Sequence, residues 1–385
     1  MYDDIVVGAG SAGAVVAARL SEDAGRSVLL LEAGPDYPTV EQTPPDRLDA
    51  ARLPASHDWG FSAEMVPGRS LPYPRGKVTG GSSAVNATLA LRGAPADYDE
   101  WAAWGNEAWS WADVLPFFCR LEDDPEGNPA FHGLGGPLPI QRAVNLKELT
   151  PPQRALLEAY RALGFPIIAD HNDPDSTGAG PGLGNRRAGI RISTAIAYLL
   201  TARGRPNLTI RANALVDRIL IDSSRAVGLE IECLGARESV FGKRITLSAG
   251  AIGSPTILLR SGVGPAEDLR RLGIAPTVDS PGVGANLIDH AIVGIGLRVQ
   301  EGIDSGIGWR LPLRYTAPGS VVRNDMQVAL SHMGPPPVTR FLATLMRPRS
   351  RGTLRLTDRH VNAAPDIRLN LAADPEDVRR LGEGL

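Results

Sequence analysis

The sequence predicts an α/β fold whose first part is a parallel sheet covered by helices, on three observations. Its first thirty-five residues read as strand, glycine turn, helix and strand. A second glycine turn, Gly80-Gly81-Ser82-Ser83, opens into a small, apolar segment. From Leu208 the chain turns β-like, with short apolar runs in close succession. Parallel neighbours are joined by a crossover rather than a hairpin, so a strand–helix–strand start implies a buried parallel sheet.

Composition bounds the possibilities. The 385 residues are 43% apolar and 22% charged, values of a globular chain long enough for two or three domains. A net charge of −3 leaves no basic field for a phosphate backbone, so no nucleic-acid partner is expected. Two cysteines, Cys119 and Cys233, exclude a disulfide framework and a cysteine-rich metal site, and no metal is expected. Cys119 reads as a buried core thiol on an aromatic-rich helix. There is no run of eighteen apolar residues and no basic, then apolar, leader. A cytoplasmic protein without a transmembrane segment is therefore expected.

The elements follow in order. Asp4–Val7 is a short apolar strand, Gly8 to Gly13 a turn, Ala14 to Leu20 a small-residue helix, and Ser27–Leu31 a buried strand closed by Glu32. Residues 35–75 are Pro-rich and irregular, and loops of that length are usually functional. Asp97 to Leu121 reads as one helix rich in aromatics, and 151–163 as a helix opened by a proline pair. Strands are expected at Leu208–Ile210, Val216–Ile221, Val227–Cys233 and Arg244–Leu247, and a helix over 254–260.

Gly8-Ala9-Gly10-Ser11-Ala12-Gly13 is G-x-G-x-x-G between a strand and a helix, the context a dinucleotide site requires. Gly8 permits the tight turn, Gly10 lets backbone N–H groups approach a pyrophosphate, and Gly13 lets helix and strand pack closely. The helix start offers free N–H donors and a positive dipole end. Glu32, 19 residues after Gly13, stands where a carboxylate binds ribose hydroxyls. This spacing does not separate FAD from NAD.

Two longer stretches do. Gly76-Lys77-Val78-Thr79-Gly80-Gly81-Ser82-Ser83-Ala84-Val85-Asn86, with Leu91-Arg92-Gly93 and Asp97-Tyr98-Asp99-Glu100-Trp101, is the first. Gly250-Ala251-Ile252-Gly253-Ser254-Pro255 through Ser261-Gly262-Val263-Gly264 is the second. Both resemble signature stretches of the glucose–methanol–choline (GMC) oxidoreductase family. Asp58-Trp59, Pro281 through Leu287, and Asp289-His290 resemble it too, so the resemblance runs over essentially the whole chain.

The resemblance implies a Rossmann-like FAD-binding domain in discontinuous segments and a substrate domain with an antiparallel sheet. The boundaries expected are 1–140 and 186–297 for the first, and 141–185 and 298–385 for the second, the latter incomplete. It implies oxidation of a small-molecule alcohol by hydride transfer to flavin N5; the electron acceptor is not readable. Ser193-Thr194-Ala195 resembles the lead into the second half of the flavin domain, and Val216 a valine whose backbone contacts adenine, although a core valine reads equally well there. Fingerprint and resemblance together give the expected FAD contacts: Gly8, Gly10, Ser11, Ala12, Gly13, Glu32, Ala33, Arg75, Thr79, Gly80, Gly81, Ser82, Asn86, Ala87, Val216, Ser248, Ala249 and Gly250. Asn86 would sit near the flavin ring, with a turn-capping amide as the plainer reading. Position 85 is Val where some relatives carry a histidine that bonds FAD, so non-covalent FAD is expected.

The family's catalytic base is a histidine in a C-terminal segment, and the sequence reads as stopping before it. No catalytic residue is assigned, and the catalytic histidine is expected beyond residue 385. An alcohol gives up its proton to a base such as a neutral imidazole, and six histidines are present. His57, His132 and His171 lie in polar loops and read as solvated. His290 reads as a loop anchor near the nucleotide, and His360 sits in a charged turn. His332 is the candidate for a substrate cavity, with a structural role the stronger reading. The alternative is a naturally short or split FAD-binding protein without catalysis of its own, complemented by a second chain. Lyase use of the same fold has no residue in its favour. A shortened chain is also expected to expose a sheet edge and be poorly soluble.

Overall fold

Strand β1 (Tyr2–Val7), helix α1 (Gly13–Leu20) and strand β2 (Val28–Leu31) form the expected start of the fold. The computed structural model describes residues 1–298, 310–331 and 338–385. Ile5, Val6 and all four residues of β2 are without solvent exposure, as a parallel strand covered on both faces requires. β1 lies between β2 and the C-terminal half of a long strand, Ala236–Leu247, and β2 also pairs with Leu208–Arg211. These four strands are parallel. Arg225–Cys233 and Ala214–Asp222 extend the sheet antiparallel to six strands. Helix Gly250–Arg260 follows, four residues longer at its start than the sequence reading. One core joins Ile5, Val7, Leu29, Leu31, Val216, Leu229, Ile231 and Ile257.

The chain divides into two compact units. The first holds 1–87, 188–288 and 351–370; the second holds 88–187, 289–350 and 371–385. This differs from the expected boundaries at four places: 88–140, 186–187 and 289–297 fall in the second unit, and 351–370 in the first. Residues 88–140 fall in the second unit, because Leu89 bridges to Gly184, Arg92 N–H donates to Asn172, and Arg142 pairs with Asp124 and Asp170. Residues 351–370 fall in the first, because Asp366–Arg368 pairs with Thr353–Arg355 and with Ser62–Val66, itself hairpinned to Arg69–Pro72. The stretch 35–75 is therefore less irregular than the sequence reading held.

The second unit carries a five-stranded antiparallel sheet, in the order Ala291–Arg298, Val338–Leu345, Met326–Ser331, Leu313–Tyr315, Gly178–Ala179. Its core packs Leu157 and Tyr160 of helix Pro151–Ala162 and Leu381 of helix Pro375–Glu383 on Leu313, Met326, Val328 and Leu345. The single helix expected over 97–121 is instead two, Pro95–Ala103 and Trp111–Leu121. Gly105, at φ +97°, makes a left-handed turn that an α-helix cannot continue. Cys119 on the second of them is half-buried rather than a core thiol.

Candidate functional site: a glycine-lined cavity at the end of a parallel sheet

In the first unit Val7, Leu31, Arg211 and Leu247 end their strands at one level, paired in register. Ligands of open α/β sheets bind beyond these carboxyl ends, where the chain crosses to opposite sides. A cavity of about 450 Å³ lies there. Gly8, Gly10, Ser11 and Ala12 line it from the first turn, Glu32 and Ala33 from the end of β2, and Arg75, Gly81 and Ser82 from the second turn. Val216, Ser248, Ala249 and Gly250 complete the expected residues on its wall.

Five expected residues are not on that wall. Gly13 is packed beneath: a Cβ there would lie 1.8 Å from the Gly8 carbonyl oxygen, the close approach of helix to strand expected of it. Thr79 is buried, its N–H donating to Pro35 O at 3.1 Å. Gly80 donates its N–H to Ala9 O at 2.7 Å, tying the two turns together. The next residue, Gly81, does line the wall; at φ +52° it approaches so closely that a Cβ would stand 2.6 Å from Gly10 Cα. Asn86 and Ala87 are exposed, and the Asn86 carbonyl accepts from Nε of the buried Arg191.

Glu32 is the cavity's buried acid. Its Oε2 accepts the Ala9 N–H and its Oε1 the Gly34 N–H, each at 2.9 Å. Burial raises its carboxyl to about 7 against the pull of those N–H groups. Ser11 and Ala12 are exposed at the start of α1, where helical N–H groups have no partner within the helix. The sequence reading missed several lining residues. Trp59 and Phe61 stack with centroids 5.7 Å apart, and Lys77 Nζ stands 4.7 Å from the Trp59 ring. Arg260 is held by Asp217, and Val361, Ala363 and Pro365 come from the 351–370 segment. Asp58-Trp59 was a visible signal for the first pair; nothing local marks the others.

Free N–H groups at a helix start, a buried carboxylate at the end of the second strand and glycines where side chains would intrude fit the phosphates and ribose of a dinucleotide such as FAD. Residues 2–292 match the family described as GMC oxidoreductase. The chain belongs to the GMC oxidoreductase family. It is 36% identical over 410 residues to the 5-(hydroxymethyl)furfural oxidase of Methylovorus sp. (strain MP688), covering all of this chain and 76% of that one. It is 41% identical over 293 residues to the oxygen-dependent choline dehydrogenase of Brucella anthropi, covering 75% of this chain and 52% of that one. The pyridoxine 4-oxidase structure from Mesorbium loti superposes with a TM-score of 0.91 at 32% identity, over all of this chain and 79% of that one. GMC oxidoreductases bind FAD and oxidise alcohol-type substrates.

The histidines of this GMC chain differ from the sequence reading. His132 and His171 are buried, not solvated. His171 Nε2 bonds the Gly180 carbonyl at 3.2 Å, and burial lowers it to about 4, so it is neutral. His132 sits among acids: Nδ1 is 2.7 Å from Glu122 and 3.2 Å from Asp124, and Nε2 is 3.0 Å from Asp170. Burial opposes its charge, but the bonds to Asp170 and Glu122 outweigh this and raise it to about 9. Arg92 pairs with Glu122, and Arg142 with both Asp124 and Asp170. Three carboxylates thus face two guanidiniums and one imidazolium. Asp124, His132 and Asp170 offer ligand atoms within 4.8 Å of one another, but Arg142 already occupies the acids as their cation. His57 bonds Tyr37 Oη and Ser56 Oγ, and His290 and His360 are exposed. His332 lies outside the described residues.

Proposed function

We propose that the first unit binds FAD non-covalently and that the chain serves oxidation of a small-molecule alcohol, with the proton-accepting histidine outside residues 1–385. The observation that carries this is the cavity: a glycine-turn wall, unpaired helix N–H groups and the Glu32 carboxylate lie together at the carboxyl end of the parallel strands. When bound, FAD supplies an acceptor for the hydride of the alcohol carbon.

The chain's own residues bind and orient. Ser11 and Ala12 present backbone N–H groups to the pyrophosphate, Glu32 takes the ribose hydroxyls, and the Val216 backbone meets the adenine. Gly80, Gly81 and Ser82 would bring the second turn against the flavin half. Among the described residues no His, Cys or Tyr lines the cavity, and position 85 is Val, which supports non-covalent binding. The same lining supports a base from elsewhere, because the alcohol proton needs an acceptor within hydrogen-bond reach.

The test is anaerobic mixing of the FAD-loaded chain with choline, 5-(hydroxymethyl)furfural, pyridoxine and a series of primary alcohols. The flavin absorbance is expected to persist with each alcohol and to bleach with dithionite. Bleaching by an alcohol would put the base within residues 1–385 and contradict its proposed place.

A further inference from the structure

A third segment touches both glycine turns without lining the cavity. Ser193-Thr194 precedes a five-residue π turn, Ala195–Leu199, a rare geometry often found at functional sites. It packs on the second turn: a Cβ on Gly80 would lie 3.3 Å from both Ser193 Oγ and Ala195 Cβ. Thr194 N–H donates to Ser83 Oγ at 3.0 Å, and Ser83 Oγ–H donates to the Gly80 carbonyl at 2.6 Å. With the Ser83 proton used there, the Thr194 hydroxyl faces two acceptors, Ser83 Oγ at 3.1 Å and Gly10 O at 3.3 Å.

Gly10 O already receives the Ala14 N–H, the first bond of α1, at 3.1 Å. The Thr194 hydroxyl therefore takes its second lone pair. The carbonyl of Gly10 and the N–H of Ser11 belong to one trans peptide plane and point in opposite directions. Holding that carbonyl on the Thr194 side keeps the Ser11 N–H aimed away from it, and Ser11 lines the cavity. The same hydroxyl reaches Ser83, one residue beyond the cavity-lining Ser82.

We propose that Thr194, with Ser83, is a positioning residue that clasps the two glycine turns in the register a ligand spanning both requires. The inference rests on the FAD reading above. A ligand confined to the first turn gains only the aimed Ser11 N–H, whereas one that bridges the turns also depends on their register. Preorganisation of this kind raises affinity by sparing the ordering that binding would otherwise demand.

The experiment compares the full chain with Thr194→Val, Thr194→Ser and Ser83→Ala. FAD and ADP affinities come from fluorescence titration, and amide hydrogen exchange of the ligand-free chains follows residues 10–13 and 80–83. Thr194→Val keeps the shape and loses the hydroxyl. It is expected to weaken FAD about fivefold to tenfold, the scale of one lost hydrogen bond. ADP affinity should fall less than FAD affinity, because ADP uses the Ser11 N–H but not the second turn, and Thr194→Ser should bind FAD like the parent chain, since it restores that one bond. Exchange at residues 80–83 should quicken in Thr194→Val and Ser83→Ala, with cooperative melting retained in both. Unchanged FAD affinity in Thr194→Val, or an equal loss for FAD and ADP, would overturn the clasp. If the parent chain binds no FAD, the FAD reading fails; exchange unaltered by Thr194→Val would then separately refute the clasp.

Discussion

At the scale of single residues, Glu32 is held by contacts that its place in the sequence does not suggest. The distance from the glycine turn marked it as a ribose ligand. The structure adds that its two oxygens hold the Ala9 and Gly34 N–H groups, so the acid also shapes the turn it serves. That second role depends on a contact across 23 residues, which no local pattern encodes. Glu32→Gln puts an NH₂ where one of these N–H groups needs an acceptor. A buried donor left unsatisfied costs about 1–3 kcal/mol, so both chemical stability and FAD affinity should fall. Folding raises the Glu32 carboxyl to about 7, above its unfolded value near ~4.3. Its contribution therefore favours the folded chain at low pH and is lost as pH rises through about 7. Melting curves from pH 5 to 8 should show that slope in the ligand-free parent and not in Glu32→Gln.

At the scale of elements, the strands and helices of the nucleotide unit were legible because each is a local pattern. Continuous apolar runs gave β1 and β2, and the glycine spacing gave the turn and α1. Apart from the helix expected over 97–121, which breaks locally at Gly105, the misread elements are those defined by partners far away in sequence. Thr353–Arg355 and Asp366–Arg368 are three residues each, too short for any periodicity, and exist through pairing with each other and, for Asp366–Arg368, with Ser62–Val66. His132 looked solvated because its neighbours are Gly, Pro and Asn; its burial comes from Glu122, Asp124 and Asp170, contributed by two segments separate in sequence. This network fastens residues 122–142 to residues 170–172 in the second unit. Removing one member of a buried charge network typically costs about 3–5 kcal/mol, so His132→Gln should lower denaturation stability by that order. Because folding raises His132 to about 9 from an unfolded value near ~6.5, the network's support is fully present below ~6.5 and is lost as pH rises through about 9. The melting temperature of the parent should drop over that interval, and that of His132→Gln should be flatter there.

At the scale of the whole molecule, two units of different sheet type match what the resemblance implied: a parallel-sheet unit with the glycine turns and an antiparallel-sheet unit. No helix among the described residues is long and apolar enough to cross a membrane. The chain spans 76% of the Methylovorus oxidase and 79% of the pyridoxine 4-oxidase chain. Thirteen of the eighteen residues expected to hold FAD line one cavity, because the fingerprint and the two signature stretches converge at the ends of the same parallel strands. The chemistry of the alcohol proton was not legible, since no histidine among the described residues is on that cavity wall. The central claim is that this cavity holds FAD without a covalent bond. The most direct measurement is the visible absorption spectrum of the purified chain, before and after denaturation and filtration. A flavin spectrum whose chromophore passes the filter as free FAD is the predicted result. A chain that shows no flavin, even after incubation with excess FAD, or a flavin that stays with the denatured polypeptide, would contradict it.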